Sequence, residues 1–192
     1  MQTPLTIHDA PLPYAAKLDA RVRAGIDLVV IHCTELPDLA TAREYGERIV
    51  HPSGTGNSGH YYIDRDGGVS RYVSEERVAH HVRGHNEHSV GIELVNNGRY
   101  PDWLDSRHQT MSEPYPAAQV DALLALLAHL RTTLPNLRHI AGHADLDTGK
   151  VPANDNAARL VRRKLDPGPM FPWPRVMAAC GLQRLDAGPY SL

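Results

Sequence analysis

Two short stretches constrain the fold more than anything else in the chain: DLVVIHCT at 27–34 and SVGIELVN at 89–96. Each is a bounded run of β-branched and aliphatic residues, the first entered after Ala24-Gly25, and each reads as a buried strand. Side chains alternate along a strand. His32 and Thr34 therefore point to one face of the first strand, and Cys33 and Glu35 to the other. In the second, Val90, Ile92 and Leu94 share a face while Glu93 projects from the opposite one. His32 also sits at the end of its strand, where α/β sheets place their sites.

The remaining segments fit around these strands. LATAREYGERIV (39–50) reads as a helix ended by a flexible loop over 52–59. HYYIDRDGGVSRYV (60–73) reads as a hairpin turning at Asp66-Gly67-Gly68. AAQVDALLALLAHLRTTL (117–134) is the clearest helix, with apolar residues at helical spacing and an arginine near its end. LRHIAGHADL (137–146) predicts a short strand running into a loop, and 151–163 a short helical turn. Residues 97–116, with prolines at 101, 114 and 116, predict a long surface loop, a kind that is often functional. There is no internal repeat and no low-complexity tract. Strands alternating with helices predict an α/β fold: a single mixed β-sheet flanked by helices, in one domain over 1–192.

Composition excludes several classes of function. A net charge of −2 gives no electrostatic case for nucleic acid as a partner. The longest apolar runs, LVVI and LLALLAHL, fall far short of the roughly 20 residues of a membrane span. The N-terminus lacks the basic start and apolar core of a secretory signal, so a cytoplasmic location is expected, with the periplasm or secretion as the alternative if a leader has been removed. Cys33 and Cys180 form no CxxC and indicate neither a disulfide framework nor a thiolate metal site. Cys33 reads as a buried core thiol. Twelve histidines are the unusual feature, because histidine is the commonest metal ligand.

Singly, the candidate residues have structural explanations. A lone histidine is more often a packed residue than a ligand, and Glu93 alone would be solvated. In RRKLDPGPMFPW (162–173), Lys164 and Asp166 stand two apart before a turn, so an extended segment presents both on one face. Singly they are a surface ion pair. Together the set reads differently. Two strand-end histidines, His32 and His143, plus one carboxylate fit a zinc site with three protein ligands and an open position. A separate glutamate and lysine supply the proton shuttle and the cation that metal-assisted hydrolysis still needs.

The motifs VVIHCTE, GHYYIDRDGGV, AHHVRGHNEHSVGIELVN, AGHADL and KLDPGPMFPW resemble the zinc N-acetylmuramoyl-L-alanine amidases: AmpD-type enzymes, phage amidase lysozymes and peptidoglycan recognition proteins. The resemblance covers about residues 26–175. It implies the amidase/peptidoglycan-recognition-protein-like fold, Zn2+ held by His32, His143 and Asp166, Glu93 as the catalytic glutamate, Lys164 as the lysine two before the third ligand, and His81 beside the substrate. The implied substrate is peptidoglycan or an anhydro-muropeptide, cut between the lactyl group of N-acetylmuramic acid and L-alanine. The chain departs from AmpD-type relatives between the second and third ligands, where an insert containing VPANDNAARLVRR lies. Arg159 is a candidate for the carboxylates of a muropeptide, though the arginines at 159, 162 and 163 read first as a solvated face. Trp103 is a candidate for a sugar or peptide groove, while Tyr61 and Tyr62 read as packing.

Two other functions compete. A non-catalytic peptidoglycan-binding module would lack a metal ligand, yet the position of Asp166 is filled. A metal-dependent nuclease is suggested by HHVRGHNEH (80–88), but the chain has no basic stripe. His51, His108, His129 and His139 read as surface or packing residues, and His60, His85 and His88 as structural.

Overall fold

The computed structural model describes residues 5–185; the outermost parts of the N-terminal stretch inspected for a leader, and of the C-terminal stretch, lie outside the described residues. The strands are β1 (Ile7–Asp9), β2 (Leu28–Cys33), β3 (Tyr61–Ile63), β4 (Val69–Arg71), β5 (Ser89–Leu94), β6 (His139–Gly142), β7 (Lys150–Pro152), β8 (Leu160–Arg162) and β9 (Gln183–Arg184). The α-helices are α1 (Leu39–Glu47), α2 (Ala117–Thr133), α3 (His143–Leu146) and α4 (Trp173–Cys180). Seven strands form one sheet in the order β1-β4-β3-β5-β2-β6-β9. It is mixed, as expected: β3 and β4 pair antiparallel around the Asp66-Gly67-Gly68 turn, and the other neighbours run parallel.

The two apolar runs became the centre of this sheet. All six residues of β2 are buried, because β5 and β6 flank it on both edges. Val29, Ile31, Val90, Ile92 and Leu94 pack against Val120, Leu123, Leu126, Leu127 and Leu130 of α2, with Val176 and Cys180 of α4 closing the layer. The apolar stripe of α2, spaced three and four apart, is what holds the helix there, each buried leucine contributing about 1.5–3 kcal/mol. Gln119 Nε2 donates to Ile63 O and Val95 O, tying the first turn of α2 to the ends of β3 and β5. The opposite face of the sheet carries a smaller cluster with Leu12, Tyr14, Leu36, Ala42 and Tyr62. It is the face that receives His32 and Glu93.

Three expectations changed. α1 starts where the sequence predicts, capped by Asp38 accepting from Thr41 N–H at 2.7 Å, but stops at Glu47. The N–H groups of Val50 and His51 turn instead to Thr55 O, in keeping with the poor helix propensity of the Ile49-Val50 pair. The strand β6 runs into the four-residue α3 rather than a loop. The short helical turn expected over 151–163 is an antiparallel hairpin of β7 and β8, with Val151 opposite Val161 and Pro152 opposite Leu160. Asn156 supplies the reason: its Oδ1 accepts from Ala158 N–H and its carbonyl from Arg159 N–H, an Asx-type turn that outcompetes helix.

Candidate metal centre and active site

Strand register assembles the first half of the site. β2 and β5 pair in parallel with His32 opposite Glu93, so both side chains leave the face turned away from α2. His32 Nδ1 lies 4.0 Å from Glu93 Oε1. On the other edge of β2, Ile31 is opposite Gly142, and the next residue, His143, opens α3. The rings of His32 and His143 meet edge to face with centroids 4.6 Å apart.

The second half comes from a loop. Asp166 follows β8, and its carbonyl accepts from Ala144 N–H at 2.9 Å, stitching the loop to α3. Asp166 Oδ2 lies 3.0 Å from His32 Nδ1 and 3.1 Å from His143 Nδ1. One ligand atom from each of the three residues falls within 4.8 Å of the others, and all three residues are buried.

This donor set fits zinc. Tetrahedral bonds of about 2 Å put donor atoms about 3.3 Å apart, close to the two spacings around Asp166 Oδ2. Asp166 Oδ1 is buried without a hydrogen-bond partner. A buried carboxylate with an orphaned oxygen, faced by two imidazole nitrogens, is short of a cation.

The electrostatics separate the two carboxylates. Burial raises the Glu93 carboxyl well above its usual value, and the Asp166 charge adds to this against the opposing pull of Lys164. Burial alone would raise Asp166 too, but the neighbouring His143 more than offsets it and holds the carboxyl well below the usual range. Burial, with His143 next, pushes His32 down to about 4. The same cavity thus pushes its two carboxyl groups in opposite directions.

Charged side chains brace the loop half. Arg99 meets Glu35 in a bidentate pair, Nε to Oε1 at 2.7 Å and Nη2 to Oε2 at 2.8 Å. Both residues are buried. The same guanidinium donates to the carbonyls of Arg162 and Arg163, the two residues before Lys164. Glu35 adopts φ 49°, a left-handed conformation costing a non-glycine residue about 1–2 kcal/mol. Gly98 permits the approach, since a Cβ there would sit 2.6 Å from Glu35 Cγ. Arg162 Nη2 donates to Ala144 O and Asp147 O. Arg163 pairs with Asp147, whose Oδ2 stands 4.0 Å from His143 Nε2.

These groups floor a cavity of about 820 Å³. His32, Glu93, His143, Lys164 and Asp166 all line it, as do His81 and Trp103. Trp103 Nε1 donates to Glu35 O at 3.0 Å, and its ring stands edge-on to Tyr45. His81 has both ring nitrogens within hydrogen-bond distance of protein atoms, His32 and Ser89. Arg159 lies elsewhere: it is exposed in the hairpin turn and is not among the residues lining the cavity, whereas Arg163 of the same insert is. His51 also lines the cavity, its ring 4.6 Å from that of His80. Glu35, Arg99, Asp147 and Ser89 also support the site, and no local sequence signal marks them for that role.

The fold and site define a mixed α/β protein with a buried centre suited to one metal ion. The N-acetylmuramoyl-L-alanine amidase family (Amidase_2) matches residues 22–169, and the chain belongs to that family. It is accordingly an N-acetylmuramoyl-L-alanine amidase. No curated protein sequence matches the chain. Among solved structures, a selenomethionine derivative of AmpD is 26% identical with a TM-score of 0.62, covering 90% of this chain and 93% of that one. AmiD from E. coli, in complex with anhydro-N-acetylmuramic acid-L-Ala-D-gamma-Glu-L-Lys, is 25% identical with a TM-score of 0.59, covering 83% and 58%. Drosophila PGRP-LB is 16% identical with a TM-score of 0.63, covering 96% and 99%, a likeness of fold. No helix among the described residues is long and apolar enough to cross a membrane.

Proposed function

We propose that this amidase is zinc-dependent and hydrolyses the amide between the lactyl group of N-acetylmuramic acid and L-alanine in muropeptides derived from peptidoglycan. The observation that carries the reading is the buried His32–His143–Asp166 donor set with Glu93 beside it. The muropeptide bound by AmiD, a member of the same structural group, supports the substrate class.

His32, His143 and Asp166 would hold the metal. Zinc bound there would supply Lewis acidity, lowering the pKa of water toward about 7 and polarising the scissile carbonyl. Glu93 takes a proton on its carboxylate as water adds to that carbonyl, and its raised pKa suits it to pass the proton to the departing amine nitrogen. Lys164, on the cavity wall next to Asp166, donates an N–H to the carbonyl oxygen as negative charge builds there; such a donor is typically worth about 10²–10³ in kcat. Trp103 and Tyr45 give the sugar and peptide an apolar wall.

Mass spectrometry of products from anhydro-muropeptides and from intact sacculi tests this. The expected result is free stem peptide beginning at L-alanine, abolished by a zinc chelator and restored by added zinc. Undiminished turnover after full chelation, with zinc shown to be gone, would sink the metal role. Cleavage at any other bond would sink the substrate assignment.

A further inference from the structure

On the side of His32 turned away from Asp166, a chain of hydrogen bonds runs that the proposed chemistry leaves unused. His32 Nε2 lies 3.0 Å from His81 Nδ1. His81 Nε2 lies 3.2 Å from Ser89 Oγ. Ser89 Oγ, fully buried, donates to the carbonyl oxygen of His85 at 2.7 Å.

The far end decides the direction of the whole chain. A carbonyl only accepts, and a serine hydroxyl has one proton to give. With that proton spent on His85 O, Ser89 must accept from His81 Nε2–H. A neutral imidazole carries one N–H, so His81 Nδ1 is a lone pair and accepts from His32 Nε2–H. His32 is left with a bare Nδ1, aimed at Asp166 Oδ2 3.0 Å away. A lone pair facing a carboxylate is repulsive until a cation stands between them.

We propose that His81 and Ser89 are positioning residues that fix His32 in its Nε2–H tautomer, so that Nδ1 is set as a cation ligand before any metal arrives. The inference rests on the zinc reading above. The surrounding segment is built for this relay. Asn86 Oδ1 accepts from the N–H groups of both His81 and Val82, at 3.0 and 2.8 Å, and so fixes the start of the loop. The imidazole of His81 lies over β5 at Gly91, where a Cβ would come within 2.6 Å of its Cγ and Nδ1. The histidine-rich motif AHHVRGHNEHSVG therefore has one common purpose: His81 relays, Asn86 fixes the loop, Ser89 anchors, and Gly91 leaves room.

The test compares wild type, Ser89→Ala and His81→Phe, with zinc affinity measured by chelator competition, KM on a muropeptide, and imidazole 15N NMR of the metal-free proteins. Wild type is expected to show Nε2–H on both His81 and His32 without metal. Ser89→Ala should free the relay to reverse, placing the His32 proton on Nδ1 toward Asp166 and weakening zinc binding about 10–100-fold. His81→Phe should weaken zinc binding at least as much. Zinc affinity of Ser89→Ala within twofold of wild type would overturn the proposal, as would Nδ1–H on His81 in metal-free wild type, a result that needs no variant to fold. A raised KM in His81→Phe with zinc affinity intact would reassign His81 to the substrate. Failure of wild type to bind zinc at all would instead break the metal reading, leaving the tautomer measurement to stand alone.

Discussion

The two halves of the site are held in place by different physics. His32 and Glu93 stand on β2 and β5, where parallel register puts them opposite each other, and their supports on that side are largely neutral groups: imidazoles, a hydroxyl and a backbone carbonyl. Lys164 and Asp166 stand on a loop with no ladder to fix it. There the work falls to ions: the Arg99–Glu35 pair, Arg163 against Asp147, and Arg162 reaching the carbonyls of α3. A sheet needs no charge to aim a side chain, whereas a loop with few backbone bonds takes much of its direction from guanidinium groups, the buried Arg99 foremost.

Substitutions that separate aiming from chemistry break or sharpen this contrast. Glu93→Gln keeps the strand geometry and removes only the proton carrier. It should lower kcat by about 10²–10⁴-fold while zinc content and the unfolding midpoint stay near wild type; near-normal turnover would remove Glu93 from the chemistry. Arg99→Met does the reverse. It strands the buried Glu35 carboxylate and should cost about 3–5 kcal/mol in stability by denaturant titration, with kcat falling because Lys164 loses its brace. If the variant is as stable as wild type, the loop half is not held by this pair.

Acid should find the strand half first. His60, wholly buried beside β5, accepts from Gly91 N–H at Nδ1 and faces the Arg21 guanidinium at Nε2. Burial, then Arg21, lowers its pKa to about 3. Because the unfolded chain takes up this proton below about 6.5 and the folded one does not, stability is fully present above that pH. It is lost as pH falls toward 3, by up to about 1.4 kcal/mol per pH unit. His60→Gln should flatten the difference between urea midpoints at pH 7 and pH 5; an unchanged slope would rule His60 out. Arg159→Ala is the smallest expected effect, with kcat/KM and stability both unchanged, and a clear rise in KM would return Arg159 to the substrate.

The contrast also explains what the sequence made legible. Alternation along two apolar runs was enough to predict the core strands and to turn His32 and Glu93 away from the packed face, because strand geometry is local. The roles of Lys164 and Asp166 were visible only through motif resemblance, since nothing in KLDPGP itself says what it faces. Glu35 and Arg99 are 64 residues apart, and each alone looks like a surface charge; their pairing depends on a cavity wall that no local pattern encodes. The hairpin over 150–162 is illegible in the sequence for a related reason. AND–NAA carries helix-starting residues, and only the opposed valines and the Asn156 turn decide for strands.

The segment between His143 and Asp166 is held partly by its side chains, Arg162, Arg163 and Asp155, and partly through its main chain. Arg99 holds the carbonyls of Arg162 and Arg163, and Gly149 O accepts from Arg163 N–H. A clamp on carbonyl oxygens is blind to side-chain identity. Exposed positions of the hairpin turn can therefore change at little cost, but its length cannot, because each deleted residue shifts which carbonyls meet Arg99 and so drags Lys164 out of line.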